Sequence, residues 1–599
     1  MRARTRLLAG AAVTSLALLA SACGGGNGGG GTNTGGTASN AGTPVKGGVL
    51  NMLGVGDVDY MDPNAVYYSA GSMILRLWNR GLYSYPADPK ANTTSQPDLA
   101  DGAPETSADG LTVTIKMRDG AMWNTSPARA VTAGDAVRGL KRTCNPVQPY
   151  GGLPDYQDLI VGFKAYCDGF VKVKGTPAAI KDYVEKTSVE GVQAPDDKTL
   201  VFKLEHPASY FQDMLTMSSF NPAPVEYLDA TPGADFGNDV KNLVSNGPYY
   251  VTEYTPTKSI DLKRNPSWTE ASDPIRKAYV DEVKVAESGT QESIQQQLQT
   301  ATESADLEFD TFPPPTAVPG LAARKDPNLN IGSGSSSNPY LIYNMVSSNN
   351  SGAMKNAAFR QALSTSINRA NLIQVLGGPT LNNTLTNVLP ANVVGGEQGF
   401  DPYPYDAAKG KQMLSAAGGD GATIKILYRN ASQGSTKAFQ TVQQQLTEQG
   451  LKVEGVAAPN ADFYTKYLQE PSVAKRGVWD IAISGWGADW YGNAAVSFFG
   501  PLFSGEPSFP PIGSNYGFYN NPATNKLIEQ ATTAKTQDEA ATLWAQADRA
   551  VMADAPFYPI TNENTANYKA TQVNNAVFLP SLQGFDPANV WLAQGKQGG

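Results

Sequence analysis

A chain of 599 residues exceeds what one hydrophobic core organises, so length alone predicts two or three lobes. With 41% hydrophobic and 17% charged residues the composition is that of a soluble globular protein and not of a disordered chain. A net charge of −9 and a pI near 5.0 argue against a nucleic-acid partner, and 60 glycines with 41 prolines predict many turns and extended crossings.

Arg2, Arg4 and Arg6 precede an apolar run, Leu7 to Ala20, too short to span a bilayer, so residues 1–22 read as an export signal. Ala20-Ser21-Ala22-Cys23 allows an ordinary small-residue cleavage site or a lipobox in which Cys23 carries the lipid, although the leucine sits one place early, at Leu19. The glycine-rich stretch that follows favours the lipobox, because residues 23–46 lack hydrophobic periodicity and suit a flexible tether to a membrane. Two cysteines remain, Cys144 and Cys167. Outside the reducing cytoplasm they are predicted to form a disulfide, the alternative being two unpaired buried thiols.

The body starts near Gly47 with a strand at Val49 to Leu53 and a turn at Asp62-Pro63. Alternating Val113, Ile115 and Met117 mark a half-buried strand, Asp119-Gly120 a turn, and Thr132 the N-cap of a helix carrying Ala136, Val137 and Leu140. Thr199 to Leu204 is another strand, Gly247-Pro248-Tyr249 opens a hairpin returning at Ser259 to Lys263, and Val280 to Val285 continues that lobe before a polar helix, Gln291 to Thr300. Phe312 and three prolines then suggest a crossing between lobes.

Beyond the crossing, Tyr340 to Asn344 is a strand and Ala357 to Leu376 one helix, with Phe359, Leu363 and Ile367 on one face. Helices at Tyr405 to Gly418 and Ala438 to Gln449 alternate with strands at Ala422 to Tyr428, Leu451 to Val456 and Val478 to Ile483. That order predicts an α/β fold with a mainly parallel sheet. Asn521-Pro522 starts a further helix, Leu543, Trp544, Ala547 and Val551 form an apolar stripe, and the tail from about Thr561 is expected back in the first lobe.

The stretch from Val478 to Asn493 brings an apolar strand, bare glycines, large rings and a carboxylate together, which suits the floor of a ligand cleft. Candidate ligand-binding residues are Ser484, Gly485, Trp486, Gly487, Asp489 and Trp490. A carboxylate hemmed in by rings requires a cation or several donors, and a ligand amine is one such partner. The competing reading has Asp489 capping a helix and the tryptophans in the core. Catalysis is poorly supported: His206 is the only histidine, and neither a nucleophile elbow nor H-E-x-x-H occurs. No catalytic residue, metal site or cofactor is expected, and the glycines at 24–31 have no strand before them and no helix after to make a phosphate loop.

The Gly-Gly strand with its Met61-Asp62-Pro63 turn, NRGLY at 79–83, QPDLA at 96–100, the segment Leu111 to Arg142, the hairpin at Asn246 to Trp268 and FRQALSTSINR at 359–369 occur in the order of one family. Together they resemble the extracytoplasmic solute-binding proteins of ABC importers, the peptide, oligopeptide and nickel group called family 5. Two departures are Met61 where the family has leucine and Trp123-Asn124-Thr125-Ser126 where it has a short Asp-Gly turn. The resemblance implies a periplasmic-binding-protein-like fold with two hinged lobes and an extra inserted lobe. The expected division is lobe I at 47–97, 209–312 and 561–599, lobe II at 98–208, and lobe III at 313–560. It also implies a monomer that captures peptides or oligopeptides and delivers them to ABC permease and ATPase subunits. In peptide-binding relatives the ligand amine meets the aspartate of a Gly-Trp-x-Ala-Asp motif, here Gly485-Trp486-Gly487-Ala488-Asp489. The alternatives are another solute, such as an oligosaccharide or metal chelate, and a surface receptor without transport.

Overall fold

The computed structural model describes residues 42–593 apart from 288, 315, 333–337, 431, 460–461 and 512. The export signal at 1–22, Cys23 and nearly all of the tether lie outside the described residues.

Three sheets organise the rest. The first runs, in spatial order, Tyr249–Thr255, Ser259–Arg264, Glu282–Ala286, Val49–Gly54 and Leu307–Phe309. Its last three strands are mutually parallel, and the hairpin adds antiparallel strands at one edge. Leu50 and Met52 are fully buried while Val49 and Asn51 are half-buried, the two-residue period of a strand with one face in the core. The second sheet is antiparallel: Glu105–Thr106, Thr112–Lys116, Thr199–Lys203 and Val192–Asp196. Val113, Ile115 and Met117 face its core, beside the helix Ala133–Arg142, which begins in a reciprocal cap between Thr132 and Asp135. Just past that helix, Cys144 is bonded to Cys167 of the helix Phe163–Phe170, with 5.4 Å between their Cα atoms.

The third sheet runs Lys452–Ala458, Thr423–Arg429, Ile481–Trp486, Asn338–Tyr343 and Phe557–Pro559. Its first three strands are parallel, but Asn338–Tyr343 is antiparallel to both neighbours, so the sheet is mixed rather than mainly parallel. The single helix expected over 357–376 is two, Ala357–Ser366 and Arg369–Val375. Ile367 is extended, and the Asn368 side chain accepts from the Asn371 amide at 3.3 Å to start the second. The strand expected from Val478 starts at Ile481 instead. Before it, the buried Asp480 carboxylate accepts from the Ser347 hydroxyl at 2.6 Å, the Asn349 amide at 3.1 Å and the Lys425 backbone at 2.9 Å.

Two chain segments connect the first and third sheets side by side, Leu329–Gly332 pairing antiparallel with Thr565–Tyr568. The tail then joins the first core, where Val573, Leu579, Phe585 and Leu592 pack with Leu50, Met52 and Leu77.

Candidate functional site

A cavity of about 550 Å³ opens where the first sheet's loops face the segment that follows Ile481–Trp486. Gly487, Asp489 and Trp490 line it, opposite Tyr67, Tyr68 and Asp59. The remaining candidates do not. Ser484, Gly485 and Trp486 lie opposite Tyr340, Pro339 and Asn338, so the chain beside the bare glycine is the protein's own strand. The Trp486 indole donates to the Ser497 carbonyl at 2.8 Å. Trp490 is buried against Tyr210, its ring nearly parallel at 6.1 Å between centroids, with its indole N–H on the Asn493 carbonyl.

Asp489 caps no helix, since the next one, Val496–Phe503, starts after Ala495. Its Oδ1 instead accepts from the Tyr67 hydroxyl at 2.5 Å, and Asp155, at the end of a short turn of helix from Leu153, lies against it. Burial raises both carboxyls, and the Asp489 charge raises Asp155 further, so Asp155 holds a proton that it donates to Asp489. Burial and the same charge raise the Tyr67 phenol, which stays a neutral donor. Asp489 therefore has two donors and, among the described residues, no Lys or Arg partner.

Neighbouring contacts fix this segment. The Tyr491 amide donates to the Tyr85 hydroxyl at 2.8 Å, and the Asn493 amide to Asp213 at 2.8 Å. Between them Gly492 has φ +86°, and a Cβ there would meet Asp213 Oδ2 at 2.6 Å, so glycine is required on two counts.

The other charged groups on the lining are mostly acidic. Asp57, Asp59 and Asp310 join Asp489 on its surface. Arg76 and Arg276 also line it, but Arg76 is engaged with Asp586 through two 2.7 Å hydrogen bonds and Arg276 with Asp98 at 2.7 Å. The sequence reading did not single out Asp57, Asp59, Tyr67, Asp155 or Asp310. The signal that finds three of them is topological: Asp57 and Asp59 follow one parallel strand, and Asp310 follows the next. Ligands of open α/β sheets gather at such carboxyl ends.

The chain belongs to the bacterial extracellular solute-binding proteins, family 5, whose middle-region model matches residues 94–510. The glutathione-binding protein GsiB of Pectobacterium atrosepticum is 25% identical over 569 residues, covering 92% of this chain and 96% of that protein. The heme-binding protein A of Haemophilus influenzae is 24% identical over 488 residues, 79% of this chain and 80% of its own. Among solved structures, clavulanic acid biosynthesis oligopeptide binding protein 2 is similar with a TM-score of 0.80 and 24% identity, over 92% of this chain and 96% of that one. The fold is the mixed α/β fold of periplasmic binding proteins. The protein is therefore an extracellular solute-binding protein, a binding protein and not an enzyme.

Proposed function

We propose that the ligand is a peptide, held extended in the cleft with its N-terminal ammonium on Asp489, and that lobes I and III, divided as the sequence resemblance implies, close on it by a hinge. The observation that carries this reading is Asp489 itself: a carboxylate in the cleft wall with a phenol and a carboxyl as donors and, among the described residues, no cationic side chain beside it. An ammonium supplies the missing charge and takes over the place of the Asp155 proton. Extended backbone pairing is indifferent to sequence, which leaves the side-chain pockets to set preference. Glutathione and heme, named for two relatives, each carry more carboxylates than ammonium groups, and the aspartates on the lining oppose that net negative charge, whereas the terminal charges of an oligopeptide balance. The oligopeptide named for the structural relative fits better.

The reading includes a lipid on Cys23 that holds the protein at the membrane beside its permease. Mass spectrometry of whatever is released on denaturing freshly purified protein tests the ligand class. Peptides with free amino termini are expected; a sugar or a metal chelate in their place refutes the reading.

A further inference from the structure

The segment that carries Asp489 does not stay with the sheet it comes from. It leaves the third sheet at Trp486, and the chain rejoins that sheet's core at Ala495, Phe498 and Phe499. Between those points Trp490 and Ala494 belong to the core of the second sheet, where Trp490 is 2% exposed and packs on Tyr210. A large ring lodged in a neighbouring core resists withdrawal of the segment, because withdrawal returns its apolar surface to water.

Hydrogen bonds run the same way. Tyr491 turns both of its backbone groups to one hydroxyl: its amide donates to Tyr85 Oη at 2.8 Å, and its carbonyl lies 3.3 Å from the same oxygen. The Tyr491 phenol donates to the Pro580 carbonyl at 3.0 Å, and its ring meets that of Tyr85 edge-on at 5.9 Å. The Asn493 amide donates to Asp213 Oδ2 at 2.8 Å and its side chain to the Ser209 hydroxyl at 3.2 Å. Asp213 is itself held in place. The Ser95 hydroxyl donates to its Oδ1 at 2.5 Å, and Gln212 donates to Ser95 at 3.1 Å.

Tyr85, Ser209, Tyr210, Asp213 and Pro580 all fall in the stretches expected to form lobe I, and the segment from Asp489 to Asn493 in lobe III. With the Tyr67 hydroxyl on Asp489, every one of these contacts therefore joins the two lobes expected to hinge. Each joins two protein groups, so none waits on a ligand to form. Unmaking several hydrogen bonds and exposing one large ring shifts an equilibrium by more than about tenfold, which favours the joined state.

We propose that Tyr85 and Asp213 are positioning residues that latch the Asp489 segment across the cleft independently of ligand, so that the cleft closes on itself and opens to admit ligand. The inference rests on the functional reading above for the hinge between lobes I and III, and not for the identity of the ligand.

The test is small-angle X-ray scattering and amide hydrogen exchange on ligand-stripped protein, followed by stopped-flow binding of trialanine. The stripped parent should scatter as the structure described above, with slow exchange at the Tyr491 and Asn493 amides. In Tyr85→Phe/Asp213→Ala the radius of gyration should grow and those two amides should exchange about tenfold faster or more, while the amides of Val49–Gly54 and Ala133–Arg142 exchange as in the parent. Tyr85→Phe alone keeps the ring that packs on Tyr491, should show the same changes to a smaller degree, and is read in place of the double variant if that one fails to fold. With trialanine the parent's observed rate should level off at the opening rate as concentration rises, and the variant's plateau and dissociation rate should both be higher by about tenfold. A stripped parent more extended than the structure, or fast exchange at Tyr491 and Asn493 in it, overturns the latch. Scattering and exchange in the variants equal to the parent's overturn its assignment to Tyr85 and Asp213. If trialanine does not bind, that counts against the peptide reading, and scattering and exchange still decide the latch.

Discussion

Removing the Asp62 carboxylate should loosen the second sheet's helix by a predictable amount. The turn at Asp62-Pro63 is tied to Arg142, the last residue of Ala133–Arg142, by hydrogen bonds of 3.0 and 2.8 Å, with both side chains at most 2% exposed. Asp62 also accepts from the amides of Asn64 and Gly233, each at 3.2 Å, and the guanidinium lies over the rings of Tyr227 and Phe236 at 5.3 and 5.4 Å. In Asp62→Ala that guanidinium stays buried without its counter-charge, a loss of about 3 to 5 kcal/mol. Replacing both partners, Asp62→Leu with Arg142→Met, should cost clearly less, because no charge is left stranded. Global unfolding of a chain with several cores is not one transition, so the assay is native-state hydrogen exchange at the amides of Ala133–Arg142. Asp62→Ala should speed their exchange about a hundredfold or more, and the double variant less. Unchanged protection in Asp62→Ala, or a double variant worse than the single, would refute the reasoning.

Other consequences are as direct. Burial holds Glu287 at about 8 and Asp548 at about 7, both above the ordinary carboxylate range, so their contribution to stability is full only below the unfolded carboxylate values of about 4 and is lost progressively as pH rises from there to the folded values. The ligand-free protein should therefore melt higher near pH 5.5 than near pH 8, and Glu287→Gln should flatten the difference; Asp273, lowered to about 2 beside Arg276 and Arg80, titrates outside that window. Opening the Cys144–Cys167 bond, which closes a loop of sequence separation 23, should cost about 3 kcal/mol, read as a lower denaturation midpoint of Cys144→Ser/Cys167→Ser. Gly492→Ala should weaken ligand binding with little change in the melting temperature of the first core, because it displaces the segment that carries Asp489. Cys23→Ser should move the protein from the membrane to the soluble fraction, and equal retention of variant and parent would count against a lipid there.

Local patterns carried much of the fold. The alternation at Val113, Ile115 and Met117, the Thr132 cap and the hairpin after Gly247-Pro248 all depend on neighbours in sequence, and each forms where expected. The misjudged elements depend on distant partners. Nothing near Ile367 says that the helix must stop there, because the apolar spacing continues across the break and only the Asn368 cap marks it. The antiparallel course of Asn338–Tyr343 follows from pairing with Ile481–Trp486 and Phe557–Pro559, far along the chain. At the candidate site, Asp489 stood out because its rings and glycines adjoin it in sequence. Asp155 and Tyr67 reach it only through tertiary packing, and Asp57 and Asp310 become one wall only once two parallel strands lie side by side.

The central claim is that Asp489 receives a ligand amine, and calorimetry with a tight-binding peptide and its N-acetylated form, on parent and Asp489→Asn, tests it most directly. Stranding a dehydrated ammonium costs about 2 to 5 kcal/mol, roughly thirtyfold or more in affinity. The parent should prefer the free amine by that margin, and Asp489→Asn should lose most of the preference. Equal binding of both forms by the parent, or a preference that survives in Asp489→Asn, would contradict the account.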